Sequence, residues 1–349
     1  MGNTQFSYIP SLDGIRALAI ILVVLLHAYI PGFAGGYFGV DIFFVLSGYL
    51  ITRILRGEKE RTGRIDLWRF WSRRLRRLYP ALLLMLAAYL AIGWAAWPNQ
   101  PFVMNLKASL VAGLYLSDYA WALNVAPNQL DHTWSLAVEE QFYLVWPIAL
   151  IGLSRLTKKQ AVIALIGLYA VAMAWRIAQS GVRTDIQLHF SFDTHATGLI
   201  LGCLIGLVNP QVPKWSAILG LAGIALAFFA FPTRDMTTFL IGFPLIEVSA
   251  ALLILAAPSW LGVAPLAWIG RMSYGWYLWH YPIMVWMLNQ GFGWAPVAAI
   301  GGGISLAAAA ISYYTVERWF RVHPQNLRDD VALAEQPTGL SRNRPSVVP

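Results

Sequence analysis

The sequence predicts an all-α, polytopic membrane protein with about ten transmembrane helices. Of its 349 residues, 58% are hydrophobic and 12% are charged, against about 25% charged residues in soluble globular domains. This composition excludes an ordinary cytosolic protein. Ten helices of about 20 residues use about 200 residues. We therefore expect a single membrane domain over residues 1–320, and a disordered cytoplasmic tail formed by the polar residues 321–349.

Ten apolar runs are long enough to cross a bilayer. They lie near residues 12–30, 36–54, 78–97, 134–154, 160–178, 191–208, 216–232, 238–257, 273–290 and 296–315. Residues 105–123 are an eleventh candidate, but they are only moderately apolar. If these residues do not cross, the later basic loops share a side with the basic stretch Arg53–Arg77, as the positive-inside bias requires. We therefore expect a re-entrant or interfacial helix near 105–123 and both termini in the cytoplasm.

Basic residues are concentrated in one part of the chain. The formal net charge is +8, and ten of the 25 Lys and Arg residues lie between Arg53 and Arg77. This stretch separates two apolar runs, which is typical of a cytoplasmic loop and argues against nucleic-acid binding. Cys203 is the only cysteine, so an intramolecular disulfide and a thiolate metal cluster are excluded. We expect no metal and no bound cofactor.

The first two spans carry ionisable residues, which are costly in a bilayer and so are functional candidates. Arg16 and His27 are eleven residues apart, which places them within about 20° on one helix face and about 16 Å apart along the axis. Asp41 in the second span needs a partner, and we expect that partner to be His27, whose basicity a carboxylate would raise. The structural alternatives are that Arg16 and His27 extend to the headgroups and that Asp41 only bonds two helices together.

Five arginines precede the third span, and two functions fit them. They could fix topology and bind anionic lipid, or they could hold the phosphates of a nucleotide or coenzyme A. These residues are Arg69, Arg73, Arg74, Arg76 and Arg77.

The fourth span begins HTWSLAVEEQFYLVWP, and its adjacent acids Glu139 and Glu140 cannot both face lipid. Aromatic residues beside carboxylates are a common arrangement for binding sugars, so the outer end of this span is a candidate acceptor site. The ninth span has His280 in its middle, either as a packing residue or in catalysis. The candidate acceptor residues are His132, Trp134, Tyr143, Asp193, His195 and His280.

In this order the segments resemble acyltransferase family 3, the integral membrane O-acyltransferases, from Leu12 to about Arg321. The matching elements are LDGIRALAIILVVLLHA, GYFGVDIFFVLSGYLIT, RFWSRRLRRLYPALL, HTWSLAVEEQFYLVWP, DTHATGLILG, SYGWYLWHYP and YYTVERWFR. Two positions depart from the family pattern: Trp319 stands where Pro is frequent, and Thr197 where an acid is frequent. Many relatives carry an additional soluble, esterase-like domain after the last span. Because no such domain follows the last span in this sequence, we expect transfer to be completed within the membrane domain.

The resemblance implies a ten-helix inner-membrane enzyme that transfers an acyl group, usually acetyl, from cytoplasmic acetyl-coenzyme A to a hydroxyl of a surface glycan. It implies that His27 is catalytic, that Arg16 and the Arg73–Arg77 cluster serve the donor, and that Glu139 and Glu140 belong to the site. With Asp41, these acids and His27 form the expected catalytic set. His27 either deprotonates the acceptor hydroxyl or carries the acyl group.

Two other functions remain open at this point. Intramembrane Arg, His, Asp and Glu also occur in proton-coupled transporters and in flippases of lipid-linked sugars, although no inverted repeat is visible. The other major family of membrane-bound acyltransferases acylates lipids or proteins, but its signature order is not present.

Overall fold

The computed structural model describes residues 8–123 and 128–321, and within these residues every regular element is helical. This confirms the all-α prediction. The predicted tail lies outside the described residues except for Arg321. In chain order the helices are α1 Pro10–His27, α2 Phe38–Thr62, α3 Leu67–Ala96, α4 Phe102–Gly113, α5 Ser117–Ala122, α6 Trp134–Leu153, α7 Lys158–Gln179, α8 Asp185–Phe190, α9 Phe192–His195, α10 Thr197–Val208, α11 Ser216–Ala230, α12 Phe243–Ala256, α13 Ala264–Asn289 and α14 Trp294–Phe320.

Short helical segments extend several of these helices. A 3-10 segment, Asn128–Thr133, leads into α6, and a π-helical turn, Thr238–Gly242, leads into α12. Two further π-helical turns lie within α14, at Val297–Gly301 and Tyr313–Glu317. Pro80 and Pro147 lie inside α3 and α6 without ending them.

The fold is that of a multi-pass membrane protein. Each of the ten predicted apolar runs overlaps one helix of 12 or more residues. Within the described residues, seven helical segments are long and apolar enough to cross a membrane, namely α1, α2, α3, α6, α7, α12 and α14 with their extensions. Helices α10 and α11 are shorter, with 12 and 15 residues. That all ten runs cross therefore stays a prediction.

The segment near 105–123 is divided into two short helices. Helix α4 has 12 residues, which is about 18 Å and too short for a hydrocarbon core of about 30 Å. Tyr115 has a left-handed backbone (φ 54°) and turns the chain into α5. The Tyr89 hydroxyl donates to Asn105 Oδ1 at 2.8 Å, which fixes α4 against α3. This geometry agrees with the expected re-entrant or interfacial helix.

The basic stretch Arg53–Arg77 is mostly helical, so its description as a loop is wrong. Helix α2 continues to Thr62 and ends at Gly63, whose φ of 76° suits glycine. Asp66 begins α3 by accepting a hydrogen bond from the Arg69 backbone N–H at 3.0 Å. The arginines therefore project from the ends of two helices.

Close backbone contacts at glycines decide which helices are neighbours. A Cβ on Gly14 of α1 would lie 1.9 Å from the Leu261 carbonyl oxygen, and one on Gly270 of α13 would lie 1.9 Å from that of Asp13. A Cβ on Gly202 of α10 would lie 2.2 Å from the Val45 carbonyl oxygen of α2. Small residues are what allow such approach in lipid. Helix α1 is thus packed against α13, and α2 against α10.

Candidate active site

His27 and His280 are brought together by the packing of α1 against α13. His27 is the last residue of α1, and its Nδ1 lies 2.9 Å from Nε2 of His280. His280 is fully buried, and its Nδ1 lies 2.7 Å from the carbonyl oxygen of Tyr277 and 3.1 Å from that of Trp276. The two histidines therefore form one hydrogen-bonded unit anchored to the α13 backbone.

The contacts of His280 with two carbonyl oxygens show which ring nitrogens of the two histidines carry a hydrogen. A carbonyl oxygen can only accept, so His280 Nδ1 carries a hydrogen and, in the neutral ring, Nε2 has the lone pair. That lone pair accepts the hydrogen of His27 Nδ1. The remaining nitrogen, His27 Nε2, is left with its own lone pair, which is the state that a general base or a nucleophile requires.

His27 lines a cavity of about 580 Å³ at this end of the bundle. The volume is within the range of small-molecule sites, roughly 300 to 1,000 Å³. Tyr29 is 72% exposed, so the cavity opens to the surface. The lining residues are His27, Tyr29, Gln100, Gln129, Asp131, Tyr281, Val285, Leu288 and Asn289.

Tyr281 connects His27 to the segment before α6. Its ring is nearly perpendicular to that of His27, with 4.8 Å between centroids, and it stacks on the ring of His132, also at 4.8 Å. Its hydroxyl donates to Asp131 Oδ2 at 3.2 Å. His132 is buried, and its Nε2 lies 3.2 Å from the Leu278 carbonyl oxygen. His132 therefore supports the cavity wall and is not itself in the lining.

A second polar cluster lies further along α6. Glu139 accepts hydrogen bonds from Ser47 at 2.9 Å and from Tyr143 at 3.2 Å. The guanidinium of Arg74 lies 4.6 Å from the Tyr143 ring centroid. Arg16 and Arg74 attract Glu139 electrostatically. Tyr143, predicted as an acceptor residue, is thus placed among the predicted donor residues.

The five arginines at the start of α3 do not share one face. Arg74 and Arg77 act electrostatically on Glu140, whereas Arg73 lies 3.5 Å from Glu58 Oε2. Arg76 is exposed. The helical repeat explains the division, because residues 74 and 77 are three apart and turn together toward the bundle.

The expected pairing of Asp41 with His27 is wrong. Asp41 Oδ1 lies 3.0 Å from His195 Nε2, and both residues are buried. His195 Nδ1 lies 2.5 Å from the His189 carbonyl oxygen. The physical reason is helix pairing, since α2 packs on α10 and meets the residues just before it, while α1 faces α13.

Two further predicted acceptor residues lie apart from the cavity. Trp134 is buried, with its ring centroid 4.9 Å from that of His189 and 5.2 Å from that of His195. Asp193 forms an ion pair of 3.0 Å with Arg183 and accepts a hydrogen bond of 2.7 Å from Trp175. Neither lines the cavity, and their acceptor roles stay predictions.

Comparison with known proteins identifies the family. The family model described as an acyltransferase domain (acyltransferase family 3) matches residues 9–315. The chain belongs to acyltransferase family 3. It is 36% identical over 316 residues to the peptidoglycan O-acetyltransferase OatA of Listeria monocytogenes, with 81% of this chain and 50% of that protein covered. No solved structure matches the chain significantly.

Two other relatives of this family 3 chain have similar coverage. The O-acetyltransferase OatA of Staphylococcus aureus is 33% identical over 344 residues, which is 89% of this chain and 57% of that protein. The putative peptidoglycan O-acetyltransferase YrhL of Bacillus subtilis is 33% identical over 358 residues, or 90% of this chain and 55% of that protein. The chain spans about half the length of the curated relatives it matches.

The departure from the family 3 pattern at Thr197 has a structural explanation. Arg176 is fully buried in α7 and donates to Thr197 Oγ1, whose own hydroxyl donates to Glu247 of α12. Arg176 and Glu247 are 3.9 Å apart. Glu247 therefore supplies the negative charge that an acid at position 197 would supply.

Sequence reasoning missed several residues of this family 3 site. Asp131, Gln129 and Tyr281 line the cavity, and Ser47 bonds Glu139. Asp131 and Tyr281 directly adjoin His132 and His280, so proximity to those histidines was the available signal. Among the described residues, no group of three or more His, Cys, Asp or Glu is arranged to hold a metal ion.

Proposed function

We propose that this chain is a membrane O-acetyltransferase that transfers acetyl from acetyl-coenzyme A to a hydroxyl of a cell-surface glycan. The observation that carries the proposal is the His27–His280 pair, which leaves His27 Nε2 with a lone pair beside an open cavity. Two relatives named as peptidoglycan O-acetyltransferases, one of them putative, support peptidoglycan as the first acceptor to test.

His27 Nε2 suits both routes of acyl transfer. As a base, it takes the proton of the acceptor hydroxyl while the hydroxyl oxygen attacks the thioester carbonyl carbon. The C–S bond then breaks and the thiolate takes the proton from Nε2. As a nucleophile, Nε2 attacks the thioester first, the coenzyme A thiolate leaves, and the acceptor oxygen then displaces acetyl from the imidazole while its proton passes to the thiolate.

The donor is proposed to bind at the arginine end of the bundle. Arg16, Arg74 and Arg77 supply positive charge there, and guanidinium groups bind phosphates well. We assign this end to the cytoplasm, with both termini, in the inner (plasma) membrane, because the basic residues are concentrated at it.

One face of α6 connects the two ends. Ser135, Glu139 and Tyr143 recur at intervals of four residues, so they lie on one side of the helix over about 12 Å. Ser135 Oγ lies 2.7 Å from the Tyr277 hydroxyl, which donates to the His132 carbonyl oxygen at 2.6 Å. We propose that the amide-bearing arm of coenzyme A lies along this face, between the arginines and His27.

The test uses purified protein in liposomes with radioactive acetyl-coenzyme A on one side and soluble peptidoglycan fragments on the other. We expect acetylated glycan to form, and His27→Ala to abolish it. The control is Asp185→Asn, an exposed position, which should keep wild-type turnover. Movement of a lipid-linked sugar without acyl turnover would instead establish a flippase or transporter and overturn the proposal.

Rapid-quench labelling then separates the two routes. Protein-bound acetyl that is acid-labile and absent in His27→Ala would establish the acyl-imidazole. Transfer without any bound label at the earliest times would establish His27 as the base.

A further inference from the structure

Helix α3 is longer than the hydrocarbon core of a bilayer. It has 30 residues, which is about 45 Å at about 1.5 Å per residue, whereas the core is about 30 Å thick. About ten residues of α3 therefore lie at the level of the lipid headgroups. All five arginines of the helix precede Pro80, and charged side chains are costly in the core. It is therefore the beginning of α3 that reaches the headgroups.

Arg76 lies at the end of the lipid-facing stripe of α3. Leu83 and Ala87 follow it by seven and eleven residues, so both side chains lie within about 20° of Arg76 around the helix. All three residues are exposed. Leu83 and Ala87 are apolar and suit contact with lipid tails. Arg76, about 10 Å nearer the beginning of the helix, suits contact with headgroups.

Exposed aromatic side chains accompany Arg76 at this end of the bundle. Trp68 of α3 is 78% exposed, and Trp319 near the end of α14 is 65% exposed. Tryptophan is enriched at the level of the headgroups in membrane proteins. This location gives a physical reason for tryptophan at position 319, where family 3 members frequently have proline.

The end of α14 lies beside the arginine part of α3. The two segments pack against each other. Tyr274 of α13 defines their relative level, because its hydroxyl donates to the Leu78 carbonyl oxygen at 2.9 Å and Glu317 acts on it electrostatically. Arg318 and Trp319 directly follow Glu317, so they lie at the same end of the bundle as Arg76.

Arg76 and Arg318 carry exposed positive charge that the protein does not neutralise. Within the part of the chain that the structure describes, neither has an acidic partner. Arg74 and Arg77 differ, since both act electrostatically on Glu140. The two functions that the sequence leaves open for the arginines before the third span therefore suit different faces of α3.

We infer that Trp68, Arg76, Arg318 and Trp319, here called the lipid patch, form a docking surface for an anionic phospholipid. The two guanidinium groups pair with the negative headgroup, and the two indole rings lie at the boundary between headgroups and tails. Because no carboxylate is paired with these arginines, the patch favours an anionic lipid over a zwitterionic one. Bound lipid would hold the arginine end of α3 at a fixed depth in the bilayer.

The experiment measures which lipid the purified full-length protein retains. The protein is equilibrated in detergent micelles that contain equal amounts of phosphatidylglycerol and phosphatidylcholine, and native mass spectrometry gives the ratio of the two lipids in the complex with one lipid bound. We expect the wild type to retain phosphatidylglycerol preferentially. Arg76→Gln and Arg318→Gln should each lower the ratio about fivefold, which corresponds to about 1 kcal/mol per basic residue, and the double variant about 25-fold.

Two controls and a salt titration accompany these variants. Lys107→Gln removes an exposed charge on α4, at the other end of α3, and should leave the ratio unchanged. Trp319→Ala should weaken retention of both lipids and also leave the ratio unchanged. Raising the salt concentration from about 50 mM to about 500 mM should lower the wild-type preference, because salt screens exposed charges. A wild-type ratio near one, or a preference that the double variant or high salt leaves intact, would overturn the inference.

Donor kinetics separate phospholipid from coenzyme A as the ligand of these two arginines. In phosphatidylcholine liposomes, the double variant should keep its KM for acetyl-coenzyme A within about twofold of the wild type, and Arg74→Gln should keep the wild-type lipid ratio. A raised donor KM with an unchanged lipid ratio in the double variant would assign Arg76 and Arg318 to the donor and overturn the inference. Absence of acetyl transfer by the wild type would overturn the proposed function and leave the lipid patch standing.

Discussion

His27 Nδ1 donates a hydrogen bond of 2.9 Å to His280 Nε2, across 253 positions of sequence. The main-chain carbonyl oxygens of Tyr277 and Trp276 hold His280 Nδ1. The tautomer of His27 is therefore set by the backbone of another helix. A second group that holds a catalytic imidazole in its reactive tautomer is a common feature of enzyme sites.

Replacement of His280 should lower turnover without weakening donor binding. His280→Leu removes the acceptor of the His27 Nδ1 hydrogen, so the imidazole can rotate and change tautomer. We expect kcat to fall about 100-fold. His280→Gln keeps an acceptor oxygen and should recover part of that loss. Steady-state kinetics with acetyl-coenzyme A check both variants. If the His280→Leu and His280→Gln variants were equally active, His280 would act only by filling space.

Arg74 and Arg76 should differ in their effects on the donor. Arg74 lies over Tyr143 and faces Glu139, whereas Arg76 is exposed. We expect Arg74→Gln to raise KM for acetyl-coenzyme A about tenfold, which corresponds to one charge-assisted contact, and to leave the acceptor KM unchanged. Arg76→Gln is the matched control and should stay within about twofold. If Arg74→Gln changed only the KM for the acceptor, donor binding at this end of the bundle would be refuted.

The negative charge that pairs with Arg176 should also be effective when it is placed on α10 instead of α12. Glu247→Gln leaves a fully buried guanidinium without a counter-charge, and we expect it to destabilise the fold by about 3 to 5 kcal/mol. Adding Thr197→Asp restores the charge on α10 and should recover part of the loss. Thermal unfolding in detergent measures both variants. A double variant less stable than Glu247→Gln would show that Thr197 is there for a reason other than charge.

Asp118 should make stability depend on pH. Burial raises the pKa of its carboxyl to about 6, and the amide of Gln141 donates to both of its oxygens, at 3.0 and 3.1 Å. Because the folded pKa lies above the unfolded value, stability falls as pH rises from about 4 to about 6 and is constant above that. Asp118→Asn should remove the fall, which is about 2 to 3 kcal/mol at most.

Melting temperatures between pH 4 and pH 7.5 check this prediction. Asp185→Asn, at an exposed site in the neighbouring short helix α8, is the matched control and should follow the wild type. The same slope in Asp118→Asn and wild type would contradict it.

The sequence predicts the positions of the helices better than it predicts which helices pack against each other. Hydrophobic runs are local, so the ten runs and the break near 105–123 could be read directly. Which helices touch depends on backbone approach at Gly14, Gly202 and Gly270, and this is visible only in three dimensions. For that reason the sequence predicts His27 as the partner of Asp41, whereas the structure pairs Asp41 with His195.

The candidate site could be predicted only in part, because only some of its residues have a signal in the local sequence. His27 and His280 were recognised as ionisable residues inside apolar runs, which is a strong local signal. Asp131 and Gln129 lie before α6, in a segment with no periodic pattern, and they gain significance only because they line the cavity. The arginines were recognised as a cluster, but the helical repeat divides them between two faces.

Single-turnover acetyl transfer by His27→Ala tests the central claim most directly. The protein is loaded with radioactive acetyl-coenzyme A, mixed with the glycan acceptor and quenched at short times, while donor affinity is measured separately by equilibrium binding. We expect the transfer rate to fall about 100-fold or more, with the donor Kd within about twofold of wild type. Transfer near the wild-type rate in His27→Ala would contradict the assignment of the chemistry to this residue.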